Sequence, residues 1–213
     1  MKRITLIITI LFLTNSLKAQ DTSYLASLSS MATILNQEIV EQSTFQEFAV
    51  EFEQMAQKEQ KQWLPYYYAA YCTVSYALEL ENQVEIGKLA LKAQVLLNKA
   101  DSLSPQNSEI SCIKSLIATA FLISDPMAGG YKYGNLISST LNDAELEDPN
   151  NPRVYYLQAQ SLMYMPPQYG GGYEKAKVKL EEAMQKYKSF VPAKEYYPSW
   201  GKQQTEALLK GSI

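Results

Sequence analysis

The sequence contains no histidine and only two cysteines among its 213 residues. Without histidine the chain has no Ser-His-Asp or Cys-His nucleophile system, and it has no His-ligated zinc or haem site. Two cysteines are also too few for a disulfide-framework miniprotein. We therefore expect no enzyme, no metal site and no cofactor, and we expect an ordinary globular domain or an array of small repeats.

No apolar run reaches the roughly 18–20 residues that a membrane-spanning helix needs. The longest, residues 4–13, follows Lys2 and Arg3 and leads to Ala19, which precedes Gln20. A short basic region, a short apolar run and a small residue at the exit are typical of a secretory signal peptide. We expect cleavage before Gln20, no integral membrane segment after cleavage, and a periplasmic or secreted protein.

The chain also lacks an excess of basic residues, since its formal net charge is −3. Removing the three basic residues of the predicted signal peptide leaves 16 basic and 22 acidic residues, a charge of −6. Proteins that bind nucleic acid usually carry a basic surface. A nucleic-acid partner is therefore not expected.

No segment shows the strict alternation of apolar and polar residues that is typical of strands. In residues 44–61, by contrast, Phe45, Phe48 and Phe52 recur at the spacing of one helix face. Thr44 and Glu47 have the spacing of a capping box, which predicts a helix start at that point. The fold class is predicted to be all-α.

A short pattern repeats along the mature chain. It reads Ala93-x3-Leu97-x2-Ala100-x4-Pro105, recurs 44 residues later as Ile137-x3-Leu141-x2-Ala144-x4-Pro149, and recurs in part as Ala176-x3-Leu180-x2-Ala183. An aromatic pair with a small residue one turn later also occurs twice, as Tyr66-Tyr67-x-x-Ala70 and Tyr155-Tyr156-x-x-Ala159. Alanines at these spacings let helix backbones approach closely, and each proline ends the second helix of a pair.

These residues resemble the tetratricopeptide repeat, and the resemblance covers about 120 residues with units longer than the usual ~34. Long exported versions are similar to tetratricopeptide proteins of Gram-negative bacteria. The resemblance implies an α-solenoid of about three long repeats with a binding role and no catalysis. The predicted division is a signal peptide (1–19) and a solenoid (20–213), which consists of a leading hairpin (21–61), three repeats (62–107, 108–151 and 152–190) and a capping helix (198–210).

In tetratricopeptide proteins the first helix of each unit lines a concave groove. The resemblance assigns to this groove Tyr67, Tyr71, Tyr156, Gln160 and Met163. No lysine or arginine occupies these positions, so the groove would favour an apolar or aromatic-containing peptide. The alternative is that the three tyrosines pack between helices, because an aromatic stripe at helical spacing often belongs to a core.

Two connections between paired helices are rich in glycine and tyrosine, at 125–134 and 166–173. Tyr131 and Tyr173 could form an aromatic rim for a glycan or another small ligand, because tyrosine joins apolar area to a polar tip. Alternatively the loops only bridge long helices. The leading functional hypothesis is an exported, non-catalytic scaffold that binds a protein or peptide in the groove, and the second is small-ligand or glycan binding by the loops.

The two cysteines, Cys72 and Cys112, fall in the first helices of adjacent units. An exported protein meets an oxidising compartment, where such a pair could form a disulfide if the helices cross closely enough. The sequence leaves their pairing open.

Overall fold

The computed structural model describes residues 24–37 and 39–211, and the predicted signal peptide lies outside these residues. The described part is all-helical and contains no strand. Its helices are α1 (24–37), α2 (Gln42–Lys58), α3 (Trp63–Leu78), α4 (Gln83–Leu103), α5 (Ser108–Ser124), α6 (Pro126–Glu147), α7 (Pro152–Tyr164), α8 (Tyr173–Tyr187) and α9 (Lys202–Lys210), with one short 3-10 turn at Pro167–Tyr169. The predicted fold class is confirmed.

From α2 to α9, each helix packs against the next one along the chain, and the alternate helices α3, α5 and α7 also touch in sequence. This is the packing of a helical solenoid, in which each unit contacts chiefly its neighbours. Short connections between packed helices make consecutive helices antiparallel, so α3, α5 and α7 point the same way. The turns that follow α5 and α7 therefore lie at the same end of the array.

Asparagine side chains begin three of these helices. Asn82, Asn107 and Asn151 each accept a hydrogen bond from a backbone N–H in the first turn of the helix that follows, at 3.0–3.2 Å. Each bond satisfies a donor that has no partner within the helix. The asparagines thus fix the starts of α4, α5 and α7.

The capping box predicted at Thr44 is wrong. Helix α2 begins at Gln42, and Glu41 precedes it without a capping bond from its side chain. The backbone N–H of Thr44 instead donates to the carbonyl of Glu41 at 3.0 Å, so Thr44 already lies in the first turn. The predicted apolar face is confirmed, since Phe45, Phe48 and Phe52 are buried.

The connection predicted over 125–134 is also wrong, because most of it is helical. Asp125 alone separates α5 from α6, which begins at Pro126. Proline suits this first helical position because its fixed φ is already helical and it lacks the N–H that would have no partner. The ring of Tyr133 stacks on Phe121 at 5.2 Å between centroids, which holds α6 against the end of α5. The second connection, 166–173, is a true loop around the 3-10 turn.

The repeated alanines lie where helices meet. Ala100 of α4 and Ala144 of α6 are completely buried, as are Ala93 and Ala183 at related positions of the repeat. Beside Ala144, the hydroxyl of Ser108 donates to its carbonyl at 2.8 Å and ties the start of α5 to α6. Small side chains at these positions permit this close approach.

Replacing Ala100 or Ala144 by leucine is expected to lower the free energy of unfolding by about 1–3 kcal/mol, because the added atoms overpack a helix contact. Denaturant unfolding monitored by circular dichroism measures the loss. Asn98→Leu, at an exposed position of α4, is the control and should change stability little. Unfolding curves for all three variants that match the wild-type curve would contradict the assignment of these alanines to tight contacts.

Candidate functional site

The three tyrosines predicted to line the groove are buried. Tyr67 is 0% exposed, Tyr71 5% and Tyr156 7%. They are covered by residues 188–201, here called the strap, which runs from the end of α8 to the start of α9. In this conformation the three side chains pack in the core, as the packing alternative supposed.

Trp200 is the strap residue that fills the groove. Its ring stacks on Tyr71 at 4.6 Å between centroids and meets the edge of Tyr156 at 6.3 Å. Its indole N–H donates to the hydroxyl of Tyr67 at 2.9 Å. The groove thus provides Trp200 with both an aromatic surface and a polar partner, as a buried tryptophan requires.

Hydrogen bonds to the strap backbone hold the rest of it in place. The hydroxyl of Tyr68 donates to the carbonyl of Tyr196 at 2.9 Å, and the Asn36 side chain both donates to the Tyr197 carbonyl and accepts from the Ser199 N–H, each at 2.9 Å. Side chains from α1 and α3 therefore bind the backbone of the strap, which turns at Lys194–Tyr197.

The strap ends at Gly201, where the backbone has φ +100°. A Cβ there would lie 2.4 Å from the Tyr187 hydroxyl, which donates to the carbonyl of Trp200 at 2.7 Å. Only glycine combines this left-handed conformation with so close an approach. Gly201 therefore allows the chain to turn from the strap into α9.

Beneath the strap lies a buried ion pair between α5 and α7. The guanidinium of Arg153, which is fully buried, donates from Nε to Glu109 Oε2 at 2.6 Å and from a second nitrogen to Oε1. Asn151 also donates to Glu109 at 2.9 Å. The guanidinium faces the rings of Phe190 and Trp200 at 4.6 and 5.9 Å, so the pair also supports the strap.

The buried groups have shifted pKa values. Burial raises the pKa of Tyr67 and Tyr71 well above the usual value. Burial also raises the pKa of Glu109, although Arg153 acts in the opposite direction. For Arg153 burial alone would lower the pKa, but the charge of Glu109 outweighs it and the pKa rises. The phenols stay neutral, and the arrangement supplies structural contacts.

The remaining two groove residues are half-buried. Gln160 donates from its side-chain amide to the hydroxyl of Tyr156 at 2.8 Å, and Met163 lies one turn further along α7. Both lie in the second half of α7, toward the end of the array at which α8 begins with Tyr173. The structure thus separates the predicted site residues into a covered groove and an open end.

That open end carries a group of exposed aromatic and thioether side chains. We call it the tyrosine-bearing edge, and its residues are Met127 (98% exposed), Tyr131 (88%), Tyr164 (85%), Tyr169 (75%) and Tyr173 (44%). They come from the start of α6, the end of α7, the 166–173 loop and the start of α8. Large exposed apolar or aromatic patches commonly mark a binding surface, and these residues share one end of the array.

The loop that presents Tyr169 and Tyr173 is shaped by glycine. A Cβ at Gly171 would lie 1.9 Å from the carbonyl oxygen of Met165, so no larger residue fits there. The N–H of Gly172 donates to the carbonyl of Leu162 at 2.8 Å and fastens the loop to α7. The loop is therefore a tight, anchored turn that presents its tyrosines outward.

Two lysines accompany the tyrosines. Lys132 lies beside Tyr131 in α6, with its Nζ 4.8 Å from the ring centroid of Tyr133. Lys175 lies in the first turn of α8, and its Nζ is 3.7 Å from the position that a Cβ on Gly170 would take. Neither forms an ion pair with any residue in 24–37 or 39–211. The edge thus combines aromatic faces with positive charge.

A second surface feature is an open cleft of about 650 Å³ between α1 and the strap. Its lining joins three aliphatic residues and one aromatic residue to four polar ones, namely Leu25, Ala26, Ile34, Tyr196, Ser29, Ser30, Thr33 and Glu195. The cleft offers a flat ligand fewer aromatic contacts than the tyrosine-bearing edge does.

Both cysteines are free and buried, and burial raises their thiol pKa well above the usual value. A neutral buried thiol is a poor nucleophile and a poor metal ligand.

Within the described residues no group of three or more histidine, cysteine, aspartate or glutamate residues is placed to hold a metal ion. In the same part of the chain no helix is long and apolar enough to cross a membrane.

Comparison with known proteins adds a relative with the same architecture. No protein-family model matches the chain, and no curated protein sequence matches it. The HusA haemophore from Porphyromonas gingivalis, a solved structure, matches with a TM-score of 0.78 and 35% sequence identity. The match covers 91% of this chain and 94% of that chain. The chain belongs to the HusA haemophore family.

A haemophore is a protein that carries haem, so the known HusA member is a binding protein and not an enzyme. The match extends over nearly the whole of both chains, so the similarity is not limited to a short segment. The helical repeat-like architecture described above is therefore the architecture of the HusA family. No enzyme family is indicated for this chain.

The sequence did not indicate several residues of the covered groove and of the tyrosine-bearing edge. Trp200 was assigned only to a capping helix, and the ion pair of Arg153 with Glu109 joins residues 44 apart. Met127, Tyr164 and Tyr169 have no signal beyond their place next to the glycine-rich segments. Periodicity cannot identify them because they lie at helix ends and in a loop, where no repeat constrains the side chains.

Proposed function

We propose that this chain is an exported, non-catalytic carrier of a porphyrin such as haem, and that the ligand lies against the tyrosine-bearing edge. The observation that carries the proposal is the 35% identity with the HusA haemophore over almost the entire length of both chains. The position of the ligand on this chain rests on the exposed aromatic residues described above.

The side chains of the edge suit a porphyrin. Its flat, apolar ring system is well matched by tyrosine and methionine side chains, which offer stacking surface and polarizable contacts. The edge has such groups on two segments, with Met127 and Tyr131 at the start of α6 and Tyr169 and Tyr173 in and directly after the 3-10 turn. A ligand spanning both would cover apolar area that is now exposed to water.

The absence of histidine restricts how haem iron could be held. Tyrosine and methionine can serve as axial ligands, and both occur at the edge. We nevertheless expect most of the affinity to come from burial and stacking of the ring, because neither side chain replaces imidazole as a ligand without a built pocket. Metal-free porphyrin should therefore bind with an affinity close to that of haem.

The experiment is an absorption titration of the mature protein with haem and with metal-free protoporphyrin IX. We expect Tyr131→Ala combined with Tyr169→Ala to weaken binding of both about 10-fold or more, since each ring contributes about 1 kcal/mol. Leu146→Ala, which removes an exposed apolar side chain near the other end of α6, is the control. Absence of binding by the wild-type protein would contradict the proposed function.

A second candidate is a protein or peptide partner in the groove of Tyr67, Tyr71 and Tyr156. It is favoured by the way in which Tyr68 and Asn36 already bind the backbone of the strap. For a partner to reach these tyrosines the strap would have to leave, and Gln160 and Met163 would then extend the same surface. This is the narrower tetratricopeptide interpretation of the fold, in which the strap occupies the place of a peptide.

We also infer export from residues 1–19, whose charge and length are typical of a signal peptide. The haemophore role supports this inference, because a carrier acts where its ligand is met. Mass analysis of the N-terminus of native protein distinguishes a chain that begins at Gln20 from one that retains Met1.

A further inference from the structure

The tyrosine-bearing edge carries two lysines on two different helices. Lys132 follows Tyr131 on α6, and Lys175 rises from the first turn of α8 over Gly170. Both side chains are exposed, and neither is engaged by a carboxylate in the part of the chain that the structure describes. They are free to meet a charged group on a ligand.

Their setting favours an anion. The amine of Lys132 lies against the Tyr133 ring, and that ring is itself stacked on Phe121. These contacts restrict the orientations of the lysine side chain. Lys175 lies in the first turn of α8, whose N-cap residue Gly172 has no side chain to satisfy the free N–H groups of that turn. The positive end of the helix dipole therefore adds to the charge of Lys175. Glu174 shares this turn and acts against the attraction of an anion.

The proposed ligand carries acidic groups that these two lysines could bind. Haem and protoporphyrin IX carry two carboxylates on one side of an otherwise apolar ring. A ring that lies on the tyrosines leaves its carboxylates at the rim of the contact, where long lysine side chains can reach them while their stems cover apolar surface. Each lysine shares its segment with one acidic residue, Asp125 before Lys132 and Glu174 before Lys175, so the edge offers two local positive charges beside the tyrosines and no net positive region.

We propose that Lys132 and Lys175 bind the carboxylates of a porphyrin that lies against the tyrosine-bearing edge, and so make the site selective for the free acid over its uncharged esters. The inference rests on the proposed function and adds to it the side chains that recognise the charged groups. Because ion pairs at a surface are weak and screened by salt, these lysines determine selectivity more than affinity.

The test compares protoporphyrin IX with its dimethyl ester, each titrated at low salt into the full mature protein. We expect the wild-type protein to bind the free acid about 5- to 20-fold more tightly than the ester. The double variant Lys132→Met, Lys175→Met should bind the free acid about 5- to 20-fold more weakly, and it should bind the ester as the wild type does. Added salt should reduce the preference of the wild-type protein for the acid.

The control is the double variant Lys61→Met, Lys99→Met, which changes net charge equally at two exposed lysines outside the edge. It should keep the wild-type preference for the acid. Equal binding of acid and ester by the wild type, or an unchanged preference in the Lys132, Lys175 variant, would overturn the proposal while leaving porphyrin binding intact. If the wild type binds neither compound, both this proposal and the proposed function fail.

Discussion

Replacing Arg153 by methionine is expected to lower the free energy of unfolding by about 3–5 kcal/mol, which is a large part of the stability of a domain. Methionine fills much of the volume but leaves the Glu109 carboxylate nearly buried, without its main partner and at a heavy desolvation cost. It also removes the guanidinium from the rings of Phe190 and Trp200. Chemical denaturation followed by circular dichroism measures the change.

Two further variants separate the charge from the packing. In Arg153→Met with Glu109→Met no buried charge remains, so much of the lost stability should return. Lys114→Met breaks a surface ion pair with Asp101 and should cost less than about 1 kcal/mol. If Arg153→Met cost no more than Lys114→Met, the buried pair would not be a main support of the fold.

Replacing Trp200 by alanine should lower the free energy of unfolding by about 3–5 kcal/mol, because a large buried ring leaves a cavity among Tyr67, Tyr71 and Tyr156. The strap would also lose the bond from the indole N–H to Tyr67. Thermal and denaturant unfolding measure the loss. Limited proteolysis should show earlier cleavage within 188–201, where the strap is released from the groove.

Trp200→Phe is the matched control for this prediction. It keeps most of the ring surface but removes the N–H donor, so its cost should be smaller than that of alanine. The same two variants bear on the second functional candidate, since a loosened strap should increase binding of an aromatic peptide if the groove is a peptide site. Wild-type stability in Trp200→Ala would show that the strap does not hold the groove closed.

The helices were predictable from the sequence because their apolar faces repeat with helical periodicity. Ala93, Ala100 and Ala144 mark helix contacts in the repeat pattern, and all three are completely buried in the structure. Helix ends were less predictable. The start of α2 depends on single hydrogen bonds, and the helix over 126–134 depends on ring contacts such as the stacking of Tyr133 on Phe121. Such contacts do not repeat along the sequence, so periodicity does not reveal them.

The candidate site was predictable only in part, for a related reason. Tyr131 and Tyr173 were selected from the loops and are exposed, whereas Tyr67, Tyr71 and Tyr156 were selected from the groove and are buried. Spacing identifies which face of a helix a residue occupies, but it does not reveal which later segment covers that face. Trp200 lies 129 residues beyond Tyr71 in the chain, so only the folded structure brings them together.

Nuclear magnetic resonance of the mature protein titrated with haem locates the ligand directly, because the paramagnetic iron broadens nearby amide signals. We expect broadening in 127–134 and 164–175, the segments of the tyrosine-bearing edge, with the strap and α3 unaffected. Broadening concentrated in α3 and 196–201, or along α1 beside the open cleft, would contradict the proposed position of the ligand.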